Sequence, residues 1–338
     1  MIKTKCRPIP ETVDPDIAGA QVEALDFEPM LLLRSDLKEL ARTMTPKQVR
    51  GLVDMYYIVQ KNRCRAKAQM RELQEAGEPY AIIEWLFKNQ SKLERATQGA
   101  LGHFAEAHPV GRWSIAQYGI GPVISAGLIA HIDILKAPHV GHIWAFAGLT
   151  NERWNKAEKR PWNAKLKRLC FIIGDCMWKF HNQPDCYYGR LMAKRKLLEC
   201  ERNERGDYAD QAKKALQEKD YGDDTVAKPF MEGRYLPVRF QAGTEPKTCG
   251  LSLAKSNGIV VQSMTGHFFA EQENGIQMLS PAHVHARAIR WTAKLFLSHW
   301  HHVQFRVTFG KEPPLPWIFE HGDEKHEGYI LPPPPIVW

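Results

Sequence analysis

Apolar residues first fall into a sustained helical rhythm at Val49, Leu52, Tyr56, Val59, Ala66, Met70 and Leu73. The steps alternate between three and four residues and only Arg63 interrupts them, which predicts a long amphipathic helix. Thr45-Pro46 supplies a capping hydroxyl and a proline suited to the first helical turn, and Gly77 and Pro79 mark the end. A second stripe runs through Ile82, Leu86, Leu93, Ala96 and Ala100, with Asn89 as a polar step. Two long helices joined by a tight break predict an antiparallel helical hairpin over residues 45–107. Each stripe is too narrow to anchor a globular core alone. The hairpin therefore either closes on itself or meets a second copy as a homodimer or higher homo-oligomer.

Periodicity weakens on both sides of this arm. Residues 1–44 carry Pro8, Pro10 and Pro15 among scattered acids and are expected to be an extended arm. Beyond the hairpin, residues 108–220 read as a helical domain. Short helices are expected at Trp113 to Tyr118 and Pro122 to Ile134, then at Cys170 to Phe180, Tyr187 to Cys200 and Ala209 to Lys219. Glycine, serine and threonine rise between Pro237 and Leu279, so residues 221–279 read as an irregular insertion with strand-like runs GIVVQSM and GHFFAE. Ser280-Pro281 then opens a closing helix over 280–302, with an apolar stripe of Val284, Ala288, Trp291 and Leu295 and with Arg287, Arg290 and Lys294 on other faces. The last segment, 303–338, is a Pro-rich tail. In it VQFRVTF alternates like an exposed strand, and PPLPW and PPPPIVW read as polyproline with little capacity to bury anything. The fold class is mainly α.

The stretch YGIGPVISAG at Tyr118 to Gly127 places two glycines around Ile120 and directly before a helix start. Helix, glycine turn, helix is the pattern of a helix-hairpin-helix. There the backbone N–H groups around Gly119, Ile120 and Gly121 would face a nucleic-acid phosphate. An ordinary turn between two helices, with glycines for packing, fits the same string.

Charge bears on that choice. The 338 residues carry 46 Lys plus Arg against 38 Asp plus Glu, a net +8. From Asn151 to Cys200 there are twelve basic residues against five acidic. The surplus is local, an electrostatic footprint suited to a polyanion. Lys156, Lys159, Arg160, Lys165, Lys167 and Arg168 crowd one short span, and Lys194, Arg195 and Lys196 follow on a later helix. Trp154 and Trp162 are interleaved with the first group, either to stack on bases or to pack under arginine stems. DNA is the expected partner, with RNA as the second polyanion the same surface could take. A solvated helix face is the plain alternative for any single residue.

Other chemistry has little support. Seven cysteines without a C-x-x-C pair point to a reducing compartment. No apolar run approaches a membrane span and MIKTKCRPIPETVDPD lacks a signal-peptide apolar region, so a cytoplasmic protein with no membrane partner is expected. His139-x-x-His142, His283-x-His285 and His299-Trp300-His301-His302 lack a zinc-hydrolase register and are expected to serve incidental surface or capping roles. No phosphate loop and no G-x-S-x-G elbow occurs. Asp14, Asp16, Asp26 and Asp36 sit in or near the unpatterned N-terminal arm and read as solvent-facing. No catalytic residue, metal or cofactor is assigned.

The order of the pieces carries a further signal: helical arm, YGIGPVISAGLIAHID, HIWAFAGL, KAEKRPWNAKLKRL and ARAIRWTAKLFL. Over 46–200 and 280–302 this resembles the C-terminal half of insertion-sequence transposases of the one-ten/one-sixteen class. That resemblance implies a coiled coil before a helix-hairpin-helix domain and association with a mobile element or phage. Two features of the family are not found. At most 45 residues precede the arm, short of the roughly 100 that its RNase H-like domain would need. The family's serine after the glycine-leucine step also has no counterpart, since Thr150 follows Leu149 and no serine lies between Ser125 and Ser252. The expectation is a DNA-binding protein of transposase descent without its own cleavage machinery. An active transposase or recombinase with an unrecognised nucleophile or a partner nuclease is the first alternative. A non-catalytic coiled-coil assembly or RNA-binding protein is the second.

Overall fold

The computed structural model describes residues 35–150, 154–155, 157–222, 225, 227–238, 254–256, 259–262, 267–271, 275–316 and 330–334. It opens with α1 (Ser35–Arg42), a helix where an extended arm was expected, followed by α2 (Pro46–Ala76) and α3 (Ala81–Ala107). The rest of the N-terminal arm, with Asp14, Asp16 and Asp26, lies outside the described residues. Thr45 caps α2 through a reciprocal pair with Gln48, and Pro46 occupies its first turn. Gly77 ends it in the left-handed region (φ 71°), where the N–H groups of Gly77 and Glu78 turn back onto the Gln74 and Leu73 carbonyls. The predicted antiparallel hairpin is present.

Its seam differs from the expected one. Ile82 is 76% exposed and Leu93 40%, whereas Glu94, Thr97, Leu101 and Phe104 are buried. The reason is Arg63, the residue that interrupts the α2 stripe: its guanidinium pairs with Glu94 across the hairpin, and Gln60 Nε2 donates to the same carboxylate at 3.3 Å. A buried carboxylate needs such partners. Seating Glu94 in the seam turns Leu93 outward, because neighbouring helical residues lie about 100° apart. Burial and the Glu94 charge together push the Tyr56 hydroxyl up to about 12.

The base of the hairpin is not a free-standing arm. Val49, Val53, Leu101 and Phe104 share a core with Val123, Ala126 and Ala130 of α5 (Pro122–His131), so packing crosses the boundary expected at residue 107. Between them α4 (Pro109–Ala116) starts directly at Pro109 and stops before Tyr118. A 3-10 turn (Ile134–Lys136), α6 (Val140–Phe146), α7 (Ala164–Lys179), α8 (Tyr187–Glu204), α9 (Ala209–Glu218) and α10 (Ala227–Met231) follow.

The longest element after α2 is α11 (Pro281–Phe309), which packs on α4, α6, α7 and α8 and carries the main core. Trp113 stacks on Phe296 at 5.6 Å, and both Trp113 and Trp300 are buried. The alternating VQFRVTF segment is not a strand. It is the last two turns of α11, because extending an existing helix avoids a new nucleus while Val303 and Phe305 are buried. The tail also departs from expectation. Pro332 and Pro333 are buried, Trp113 Nε1 donates to the Pro333 carbonyl at 3.2 Å and His299 Nε2 to the Ile330 carbonyl at 2.7 Å.

The insertion holds β1 (Tyr235–Val238), β2 (Ala254–Ser256), β3 (Ile259–Gln262) and β4 (His267–Glu271) in one antiparallel sheet of order β1-β4-β3-β2. The two strand-like runs seen in the sequence are β3 and β4, paired with Val261 opposite Phe268. Phe230, Tyr235, Phe269 and Met278 form a small core of their own.

Candidate nucleic-acid interface

The glycine turn joins α4 to α5. Gly119 has φ 88°, so its glycine is set by the backbone. Gly121 caps α5 in ordinary extended geometry (φ −94°, ψ 172°), and a Cβ placed there would meet nothing within 4 Å. Neither conformation nor packing requires a glycine at 121. Ile120 is buried in the core and offers no side chain to a ligand. Ser125, one turn on, is buried with its hydroxyl donated to the Gly111 carbonyl at 3.2 Å. The turn rests on the C-terminal end of α7: Tyr118 meets the Phe180 ring edge-on, and a Cβ on Gly119 would touch Phe180 and Cys176.

The basic run lies at the opposite end of the same helix. Asn163 caps α7 by accepting from the Lys165 and Leu166 N–H groups at 3.0 and 3.1 Å, and its side-chain amide donates to His131 Nδ1 at 3.2 Å. Burial, then the charges of Arg50 and Lys165, lower the His131 pKa to about 4 and keep that ring neutral as an acceptor. From Lys167 to Cys176, where the turn sits, is about 14 Å along the axis at 1.5 Å per residue. The turn and the basic run are therefore separate places on the molecule.

Within the run the residues do different things. Lys165 pairs with Asp54 and Arg168 lies 4.4 Å over the Tyr57 ring, so both tie α7 to α2. Lys159 is exposed, and Lys156 lies outside the described residues. Arg160 covers Trp154 at 5.0 Å and Lys167 covers Trp162 at 4.3 Å, while the two indoles meet edge to face at 5.6 Å. Trp162 is seated against Gly148, where a Cβ would come within 2.6 Å of its ring. Each of these tryptophans carries a cation over one ring face, the packing arrangement of the two expected.

Two further cations come from α11. Lys294 Nζ lies 5.1 Å over Trp144, whose Nε1 donates to the Lys294 carbonyl at 3.1 Å. Arg290, one turn earlier, is exposed. Burial, then the charges of Arg290 and Arg160, lower the Lys167 pKa, and burial, then Arg290, lower that of Lys294. Among the described residues no carboxylate pairs with Arg160, Lys167, Arg290 or Lys294. Sequence reasoning missed the α11 pair because an Arg-x-x-x-Lys step on a closing helix resembles any solvated face. The nearest signal was Trp144 in HIWAFAGL.

The third expected group splits. Lys194 is exposed, but Arg195 bonds Glu199 through Nε at 2.8 Å, and Glu199 also accepts from Arg287 Nε at 2.6 Å and the Tyr208 hydroxyl at 2.7 Å. Burial would raise the Glu199 pKa, yet the Arg287 and Tyr208 hydrogen bonds and the Arg195 charge bring it below its ordinary value. Lys196 is 3% exposed and sits 3.7 Å over Trp178, where burial lowers its pKa to about 8. Arg195 and Lys196 are framework residues, not surface cations.

The 139–142 pair and the 299–302 run of histidines are likewise structural. The His139 N–H donates to His142 Nδ1 at 3.4 Å, a capping role. His299, His301 and His302 are buried, where an incidental surface or capping role was expected. His299 donates from Nε2 to Ile330 and accepts from the Tyr188 hydroxyl at 2.7 Å, and burial lowers its pKa to about 4. Among the described residues no group of three His, Cys, Asp or Glu could hold a metal, and no helix is long and apolar enough to cross a membrane. The Thr150 hydroxyl is buried with no hydrogen-bond partner among the described residues, and none of them is a base placed to activate it. Comparison with known protein families, with characterised proteins and with solved structures gives no match.

Proposed function

We propose that this chain is a DNA-binding protein related to transposases, holding duplex DNA by its phosphate backbone. The observation that carries the reading is the set of cations Arg160, Lys167, Arg290 and Lys294, drawn from a loop and two helices, three of them held on indole faces and all four unpaired by carboxylates among the described residues. A fold gains nothing from concentrating like charge, whereas a polyanion is attracted by it. Gly121 supports the second contact, since a glycine that neither backbone nor packing requires leaves room for a phosphate at the α5 N-terminus. With a cation over one face of each indole, the cations are the groups presented to a ligand, so contacts fall mainly on the backbone and binding is weakly sequence-dependent. The relation to transposases rests on the order of arm, glycine turn, Gly148-Leu149 step, basic α7 and α11. The reading includes no catalytic residue and no cofactor.

The test is fluorescence anisotropy of the full chain against duplex DNA, structured RNA and single-stranded DNA. Duplex should bind most tightly. Equal or tighter binding to structured RNA would replace DNA with RNA, and absence of binding to all three would end the reading.

A further inference from the structure

The strongest sequence signal for phosphate contact is the glycine turn, yet the most concentrated unpaired charge lies at the far end of α7. We infer that Lys167, Arg290 and Lys294, with Arg160 beside them, form a pre-organised site for one backbone phosphate, independent of the glycine turn. The inference rests on the DNA-binding reading and names the residues that would carry it.

Three features argue for a built site over a solvated face. Lys167, Arg160 and Lys294 each lie over a tryptophan, so the flexible stems are partly ordered before a ligand arrives. The indole beneath Lys294 is itself tied by its N–H to the α11 backbone, and the one beneath Lys167 is seated on Gly148. Finally, the pedestals share one turn: Trp144 lies under Lys294, Gly148 seats the indole under Lys167, and the Leu149 N–H between them donates to the Trp144 carbonyl at 2.9 Å, which agrees with the Arg290 charge acting on both lysines. The α8 end of the same helix bundle shows the contrast, since Arg195 and Arg287 there converge on Glu199. An anion with several acceptor oxygens would serve Lys167, Arg290 and Lys294 as Glu199 serves that pair.

Arg290→Gln, Lys294→Gln and the double variant in the full chain test this. In duplex binding each single change should lower affinity several-fold and flatten the log–log salt slope by about one. Melting temperature should hold or rise, because a like charge has been removed. Combined with Gly121→Val, the Arg290→Gln loss should be additive, as expected for sites more than about 10 Å apart. If the parent binds duplex and both variants match its affinity and slope, the site is overturned while DNA binding stands. A marked fall in melting temperature would show the cations to be structural ties and would also overturn it. If the parent binds no nucleic acid, the reading above fails. Inorganic phosphate titrated against tryptophan fluorescence then decides: a saturable response lost in the double variant keeps a phosphate site, and no response removes it.

Discussion

Arg287 and Arg290 are three residues apart on α11 and have opposite fates. Arg287 reaches Glu199, which also takes Arg195 and the Tyr208 hydroxyl and is 1% exposed in its side chain. Arg290 is exposed, its charge acts on Lys167 and Lys294, and it has no carboxylate partner among the described residues. In the sequence the two are equal contributors to a basic helix. The difference teaches that density of positive charge does not mark a binding surface. What marks it is charge the fold leaves unneutralised, and only the placement of a distant acid reveals that.

The largest expected effect breaks the balanced side. Glu199→Ala leaves Arg195 and Arg287 facing each other with a buried tyrosine hydroxyl, and should cost about 3–5 kcal/mol in urea unfolding. The salt slope of DNA binding should not change. If stability holds, Glu199 is not the anchor of this region.

Acid and base should separate the two sides next. His299 has a folded pKa of about 4 against an ordinary 6.5, so its neutral form is the one the fold needs. Its contribution is full above pH 6.5 and falls away as pH drops toward 4, by roughly 3 kcal/mol. Glu199, also depressed, adds to the loss in the carboxylate range. A His299→Gln variant that keeps the parent's stability slope between pH 6.5 and 4 would contradict this. The unbalanced side responds to base: Lys167 and Lys294 are held below the usual lysine value, so duplex affinity should begin to fall at a lower pH than ordinary lysines dictate. Affinity unchanged up to that ordinary range would place these amines outside the contact.

A smaller effect is expected at the turn. Gly121→Val should melt within about 1 kcal/mol of the parent, since its backbone is extended and the space is open. It should nevertheless weaken duplex binding. Unchanged affinity would make the turn a packing device only.

Much of the helical scaffold was legible. Thr45-Pro46 and Gly77 delimit α2, and Ser280-Pro281 starts α11, because caps act within one turn of chain. Elements decided by distant partners were not. The α3 seam is set by the Arg63–Glu94 pair, 31 residues apart, and the α11 C-terminus by burial of Val303 and Phe305 over a local strand pattern. Pro332 and Pro333 are buried because Trp113 and His299 need carbonyl acceptors there. In the site, the run from Lys159 to Arg168 was visible as composition. That Arg195 and Lys196 belong to the framework, and that Arg290 and Lys294 join the proposed interface, depends on Glu199, Trp178 and Trp144, none of which a local pattern connects to them.

The most direct test sets the two α11 arginines against each other in one salt titration of duplex binding, from 50 to 200 mM, alongside thermal melts. Arg290→Gln should flatten the slope by about one with no loss of melting temperature, and Arg287→Gln should lower melting temperature while leaving the slope at the parent's value. Equal slopes for the two variants would contradict the account, because the unneutralised cluster would then contribute no more to binding than the balanced one.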